Sequence, residues 1–486
     1  MNPGWILVGL ALAAVTAIFY ARKRGYLAVP ADRAQRSVAE SIRAHFHPVP
    51  LDQVTISERR FPFRVRADLQ KGIERLFSED TKVLHFCGVR KEYAHDGLGL
   101  SDCMVRTTHT PALSVPPQYE GVDTGDDQPI ACLKNGLWFL EKRNCRYVVL
   151  LSPAGSFGQI TGVQFQIATV NQPEGTRIAE EFFRRLEESV SRADSYRGKV
   201  LSLEMPEHSY SGESTGITVH RLRTVERQEV ILPARTLDLL DRNVIGFVSN
   251  RGRLARFRQS TKKGLLFYGP PGTGKTHTIH YLARALPGHT TLLISAEQVA
   301  LLAEYMTLAR LLQPSVVVLE DVDLIARERT EMGSPCEEVL LNKLLNEMDG
   351  LKEDAEILFL LTTNRPESLE RALSARPGRI DQAIEFPLPD EEGREKLVRL
   401  YSKGVEMPDE VSRTIVRRTD GVSAAFIKEL MRRAVQFHIE RNGEGCIGLS
   451  DVENALDEML FRGGSLNLKL LGASAMETEV NPVANG

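Results

Sequence analysis

The chain has 486 residues, 42% of them apolar and 26% charged, with 61 basic against 64 acidic side chains and a formal net charge of -3. That length exceeds a single compact core and implies two or three domains that fold mostly in water. The near-neutral balance excludes a global basic field for gathering nucleic acid, and no nucleic-acid partner is indicated. The cysteines Cys87, Cys103, Cys132, Cys145, Cys336 and Cys446 form no C-x-x-C pair, and none has a histidine at zinc-finger spacing. Reduced thiols are therefore expected in place of a disulfide framework.

From position 1 to 21 no charged side chain occurs, and 4–20 is almost wholly apolar. At about 1.5 Å per residue, such a run lies near the lower limit for crossing a bilayer as a helix. Trp5 and Tyr20 mark its ends, where aromatic rings favour the membrane interface. Arg22, Lys23 and Arg24 follow at once. A cleaved signal carries its charges before the apolar run. The pattern thus predicts an uncleaved transmembrane anchor over 1–25, single-pass, with the body of the chain on the cytoplasmic (or matrix-equivalent) side.

Ala34, Val38 and Ile42 recur at helical spacing among mixed charges, which predicts a short amphipathic helix in a stalk or linker over 26–50. Residues 51–206 carry no motif with assignable chemistry. Within them 146–151 (RYVVLL) and 163–170 (VQFQIATV) predict strands, with a Gly- and Pro-containing turn region between. Residues 174–193 predict a helix with Ile178, Phe182, Leu186 and Val190 on one face, and 199–203 (KVLSL) a further strand. The result is an α+β N-terminal domain of ordinary size, expected to receive a partner. His85, His95, His109 and the four cysteines of this region have no ligand spacing for a metal. The polar stretch EHSYSGEST at 207–215 marks the next boundary.

Over 216–388, apolar strands at 265–268, 292–295, 316–319 and 357–361 alternate with helical segments. Alternation of this kind predicts an α/β fold, a parallel sheet flanked by helices on both faces. The pattern turns helical over 389–462, and 463–486 reads as a flexible tail.

The chemistry lies in the α/β half. GPPGTGKT at 269–276 follows an apolar strand and opens a helix, the context that a Walker A phosphate loop requires. Gly269, Gly272 and Gly274 let backbone N–H groups close around phosphate oxygens. Lys275 puts a positive charge on the β- and γ-phosphates, and the Thr276 hydroxyl coordinates Mg²⁺. The expected ATP-binding set is Gly269, Pro270, Pro271, Gly272, Thr273, Gly274, Lys275, Thr276 and His277. At 316–323, VVVLEDVD runs from an apolar strand into acids, which reads as a Walker B strand with carboxylates beside the nucleotide.

Together these segments resemble the AAA clade of AAA+ ATPases over 217–461. LLNKLLNEMDG (340–350) looks like the helix after Walker B, TTN (362–364) like sensor 1, and RPGR (376–379) like the arginine-finger box. FPLPDEEGR (386–394) resembles the entry to the helical lid, and TDGVSAAFIKEL (419–430) the lid segment with small residues in place of a sensor 2 arginine. The resemblance implies a P-loop AAA+ sheet with a C-terminal lid, ATP and Mg²⁺ as ligands, and a hexamer-like homo-oligomeric ring. Asn364 would help hold the attacking water. Arg376 and Arg379 would reach a neighbour's site and stabilise the transferring phosphoryl group.

Three departures stand out. Walker B normally ends Asp–Glu; here the order is Glu320–Asp321, so Glu320 would serve Mg²⁺ and the shorter Asp321 would orient the water. The mitochondrial membrane-anchored AAA translocases that handle the folded Rieske protein look similar in this order and in the N-terminal anchor. The finger box carries one extra residue at 374–375. The stretch between Ser295 and Pro314 is shorter than the family's by about two helical turns, and the missing segment normally carries an aromatic–glycine pore loop. Tyr305 is the only aromatic there, lacks a following glycine, and reads as a core or interface residue. No H-E-x-x-H occurs, so a complete membrane-bound AAA metalloprotease is not expected.

The combined expectation is a membrane-anchored AAA ATPase that couples ATP hydrolysis to remodelling, assembly or disassembly of a protein substrate or membrane-protein partner. Two alternatives stay open: a nucleotide-gated oligomeric scaffold with little hydrolysis, and a substrate-delivery subunit for a separate protease.

Overall fold

A computed structural model of the chain describes residues 37–79, 81–91, 98–105, 110–156, 159–204, 216–323, 346–367, 380–441 and 445–462. The expected anchor over 1–25, the boundary at 207–215, the finger arginines Arg376 and Arg379 and the tail over 463–486 lie outside the described residues. Among the described residues, no helix is long and apolar enough to cross a membrane. The chain divides into two compact units, the first taking 1–195 and 206–216 and the second 196–205 and 217–486.

The first unit is built on an antiparallel sheet. Its strands are β1 (Val54–Pro62), β2 (Lys82–Arg90), β3 (Leu113–Val115), β4 (Gln118–Val122), β5 (Ile130–Lys142), β6 (Cys145–Ser156) and β7 (Gln159–Val170). They lie in the order β1-β7-β6-β5-β2-β3, with β4 paired to β5. Period-2 alternation divides the apolar residues of β6 and β7 between two cores. Tyr147, Val149, Leu151, Phe165 and Ile167 pack with helices α2 (Arg66–Glu79) and α3 (Pro173–Arg192). Val148, Leu150 and Ala168 pack on the opposite face with α1 (Val38–Phe46). Both faces are covered, which is why RYVVLL is apolar at almost every position.

The second unit contains β8 (Val200–Leu203), β9 (Ile217–Val219), β10 (Lys263–Tyr268), β11 (Thr290–Ile294), β12 (Ser315–Leu319), β13 (Ile357–Thr363) and β14 (Gln382–Glu385). Their order is β14-β10-β13-β12-β11-β8-β9, parallel from β14 through β8. Helices α4 (Gly246–Arg256), α5 (Lys275–Ala285) and α6 (Leu302–Leu311) belong to this unit. One core joins Leu265 and Phe267 of β10, Val316 and Val318 of β12, and Ile279 and Leu282 of α5. Four further helices, α7 (Glu391–Tyr401), α8 (Asp409–Arg418), α9 (Ala424–Glu440) and α10 (Leu449–Asp457), share a separate core around Ile415, Phe426, Leu430 and Val452. Two caps start members of this bundle: Asp390 Oδ1 accepts from Gly393 N–H at 2.8 Å, and Ser423 Oγ accepts from Phe426 N–H at 3.2 Å.

The structure corrects two expected boundaries. The strand assigned to the N-terminal domain over 51–206 is β8, which pairs in parallel with β11 and antiparallel with β9 in the second unit. A short apolar run carries no signal for which sheet it joins, and here Tyr305 adds a tie by accepting the Leu203 N–H at 2.7 Å. The expected stalk over 26–50 contains α1, whose Val38, Ile42 and Phe46 are buried in the first unit. Its apolar stripe closes the second face of a sheet, so these residues belong to the first unit and not to a separate stalk. The turn region expected between 151 and 163 is shorter than predicted, because β6 runs through Pro153 to Ser156.

Candidate functional site

The site forms at the carboxyl ends of the parallel strands, where open α/β sheets bind ligands. β10 stops at Tyr268, whose carbonyl accepts the Phe386 N–H at 2.7 Å, and the chain turns through 269–274 into α5. Gly269, Gly272 and Gly274 have φ of 144°, 76° and 100°. Those values favour glycine, and the surroundings of two positions explain more. A Cβ on Gly272 would lie 2.8 Å from Ala425 Cβ and 2.9 Å from Ser423 Oγ, and the Gly272 carbonyl accepts the Ala425 N–H at 3.1 Å. The small residues of the SAA segment are therefore what lets the start of α9 touch the loop. Gly274, by contrast, faces open space, the side on which a ligand oxygen could approach the backbone.

Lys275 spans the inside of the loop, donating from Nζ to the carbonyls of Gly269 at 2.8 Å and Pro270 at 3.0 Å. Burial pushes its ammonium pKa down to about 8, partly opposed by the carboxylates of Asp321 and Asp323. A buried cation that, among the described residues, hydrogen-bonds to neutral carbonyls fits a polyphosphate, whose negative charge it would balance. Thr273 Oγ1 closes the turn by donating to the Pro270 carbonyl at 2.9 Å. His277, expected among the nucleotide-binding residues, has its Nε2 3.2 Å from the Glu229 carbonyl, on the outer side of α5's first turn.

The two Walker B acids divide between neighbouring elements. Thr276 Oγ1 donates to Glu320 Oε1 at 2.9 Å, so the glutamate faces the start of α5. Hydroxyl and carboxylate oxygens are the hard donors that Mg²⁺ selects, and this pair fits that ion. Asp321 has a left-handed backbone with φ of 47°, and its N–H donates to Thr362 Oγ1 at 2.9 Å. That turn points its carboxylate toward the end of β13, where Oδ1 accepts from Asn364 Nδ2 at 3.0 Å.

A third acid, two residues after Asp321 in the same VVVLEDVD run, completes the arrangement. Asp323 is 4% exposed, and its Oδ1 accepts from Thr363 Oγ1 at 2.8 Å and from Asn364 N–H at 3.1 Å. Thr362, Thr363 and Asn364 thus bind respectively the Asp321 backbone, the Asp323 carboxylate and the Asp321 carboxylate. The alternation of acids and hydroxyls in EDVD and TTN was the available signal, but pairing across β12 and β13 is needed to read it. Asp381, two residues after Arg379, accepts the Gly264 N–H through Oδ2 at 2.7 Å.

Known proteins share this half. A family model described as "ATPase family associated with various cellular activities (AAA)" matches residues 265–388. The ATP-dependent zinc metalloprotease FtsH of Thermus thermophilus is 31% identical over 245 residues, which are 47% of this chain and 38% of that protein. The proteasome-activating nucleotidase of Methanosphaerula palustris is 33% identical over 208 residues, 40% of this chain and 50% of its own length. That of Methanothermobacter thermautotrophicus is 30% identical over 300 residues, 59% of this chain and 68% of the relative. The chain spans about half or less of the length of the first two relatives.

Proposed function

The chain belongs to the AAA family of ATPases, and from that footing we propose that it hydrolyses ATP to ADP and phosphate and uses the reaction to remodel a protein partner. The observation that carries this reading is the division of the acids, with Glu320 on Thr276 and Asp321 on Asn364. Lys275 sits where the β- and γ-phosphates of the substrate would lie and supplies fixed positive charge to the transfer. Asp321, held by Asn364, is the base proposed to orient the attacking water, a reading that the Asn364 Nδ2–Asp321 Oδ1 bond supports. Mg²⁺, held by Thr276 and Glu320 when bound, would neutralise charge on the phosphate oxygens.

Arg376 and Arg379 are proposed to complete a neighbouring subunit's site, which requires an oligomer, proposed here as a hexamer-like ring. The apolar run at 4–20 with Arg22, Lys23 and Arg24 supports a membrane anchor with the ATPase on the cytoplasmic or matrix-equivalent side. The relatives' names include a nucleotidase and an ATP-dependent protease. No H-E-x-x-H occurs here, so only the ATP-dependent part of the second name is carried over. Tyr305 is fully buried and bonded to the Leu203 backbone, so it offers no aromatic grip on a chain in a pore. Remodelling of a folded or membrane partner through the first unit is favoured over processive threading.

Asp321→Asn is expected to retain ATP affinity within about threefold and to lose turnover by at least about tenfold. Wild-type turnover in Asp321→Asn would overturn the assignment. Mixing Arg379→Ala with Lys275→Ala protein should restore part of the activity that each lacks. Specific activity that stays constant on dilution to monomers would exclude a finger supplied in trans.

A further inference from the structure

The first unit's sheet ends on β1, which pairs with β7 and with no other described strand. The pairing is antiparallel and unbroken from Val54 opposite Val170 to Pro62 opposite Gly162. Asn171 N–H donates to the Gln53 carbonyl at 2.8 Å, which sets the phase of the ladder. Hydrogen-bonded pairs alternate along an antiparallel ladder, so the backbone groups of Thr55, Ser57, Arg59 and Phe61 face β7. Those of Val54, Ile56, Glu58 and Arg60 face outward. Among the described residues, the Arg59 guanidinium donates to the Glu58 carbonyl at 3.2 Å, and no strand covers the other outward groups.

Edges of this length are usually blunted or covered. The opposite edge is met by the chain itself, since Ser37 bridges Leu113 of β3. On β1 the charges that could repel an incoming strand are already paired: Glu58 with Arg60 at 2.7 Å, and Arg59 with Glu187 at 3.5 Å. Helix α3 borders this edge, and a groove of about 340 Å³ lies between them. Thr55, Ser57 and Arg59, on one face by strand alternation, line one side; Glu180, Phe183, Arg184 and Glu187 line the other. The Arg59 guanidinium lies over the Phe183 ring at 5.4 Å. Within the groove Arg59 is paired with Glu187, and Arg184 with Glu188 outside it, while the exposed Glu180 has no hydrogen bond or ion pair to a described residue and is the carboxylate open to an incoming cation.

We propose that β1 and this groove dock an extended segment of a partner polypeptide, which adds a strand to β1 and places a lysine or arginine beside Glu180. The proposal deepens the reading of the first unit as the part that receives a partner. Outward main-chain groups would supply affinity, and the alternate side chains entering the groove would supply selectivity.

The test uses the full chain without nucleotide and two fluorescein-labelled nine-residue peptides, Thr-Lys-Val-Lys-Thr-Lys-Val-Lys-Thr and its counterpart with Glu for each Lys. With the lysine peptide at saturation, amide hydrogen exchange should slow by about tenfold or more at Val54, Ile56, Glu58 and Arg60. The amides of Thr55, Ser57 and Arg59, already bonded to β7, should change little. Glu58→Pro removes an outward N–H while leaving the β7 pairs intact, and should weaken binding by about tenfold or more. Glu180→Lys should reverse the preference between the two peptides, a readout that survives if the proline variant fails to fold. Unchanged exchange with the lysine peptide, or an unchanged preference in Glu180→Lys, would overturn the proposal. So would protection of the same amides without peptide that rises with protein concentration, since a second copy would then be the occupant. ATP turnover is measured separately, so this inference and the ATPase reading can fail independently.

Discussion

Removing the Asp323 carboxylate should uncouple nucleotide binding from hydrolysis. One oxygen of this buried side chain accepts two hydrogen bonds, from the Thr363 hydroxyl and the Asn364 amide. Hydrogen bonds to charged groups contribute about 1.5–3 kcal/mol each, and a donor left buried without an acceptor costs a similar amount. Asp323→Ala should therefore destabilise the second unit by about 3 kcal/mol, allowing for relaxation and water entry. The Asn364 side chain that holds Asp321 hangs from the backbone that Asp323 fixes, so part of this loss falls on orientation in the site. If about 1.4 kcal/mol of it does, turnover drops tenfold, while nucleotide affinity, set mainly by the loop and Lys275, changes little. Asp323→Asn retains an oxygen acceptor for both donors and should keep most of the activity. Urea unfolding, a fluorescent-nucleotide titration and steady-state phosphate release measure the three quantities. Turnover within twofold of wild type in Asp323→Ala would refute the reasoning. Equal damage in Asp323→Asn would show that charge, not geometry, is what the site needs.

Gly272→Ala should destabilise the second unit by about 1–3 kcal/mol, because it combines a left-handed backbone with the contact on Ala425 and Ser423. Its nucleotide affinity should fall as well, and a melting temperature and affinity equal to wild type would contradict the packing described. His45 is buried, and that burial holds its imidazole below the usual range even though its ring bonds the Tyr147 carbonyl. Below about pH 6.5 the unfolded chain takes up a proton that the folded one resists, so stability should fall as pH falls through this range. His45→Leu should flatten that slope in urea titrations between pH 7 and 5, and an unchanged slope would assign it to other groups.

The sequence alone was sufficient wherever the chemistry is local. GPPGTGKT needs only its own backbone and the strand before it, so a glycine-rich turn from strand to helix with Lys275 at the helix start was legible at once. The apolar runs of β10, β12 and β13 were legible because strands covered on both faces show no polar alternation. The swapped order of Glu320 and Asp321 was visible too, although its consequence was not. Only the tertiary structure decided that Thr276 bonds the glutamate and Asn364 the aspartate, since a left-handed residue at Asp321 re-aims a side chain without marking the sequence. It also decided that Asp323 anchors Thr363 and Asn364, that β8 joins the second sheet, that α1 covers the first, and that four amides of β1 face outward. Each of these depends on which strands become neighbours and in what register. Contacts between residues dozens of positions apart set that choice, and periodicity within a single segment carries no record of them.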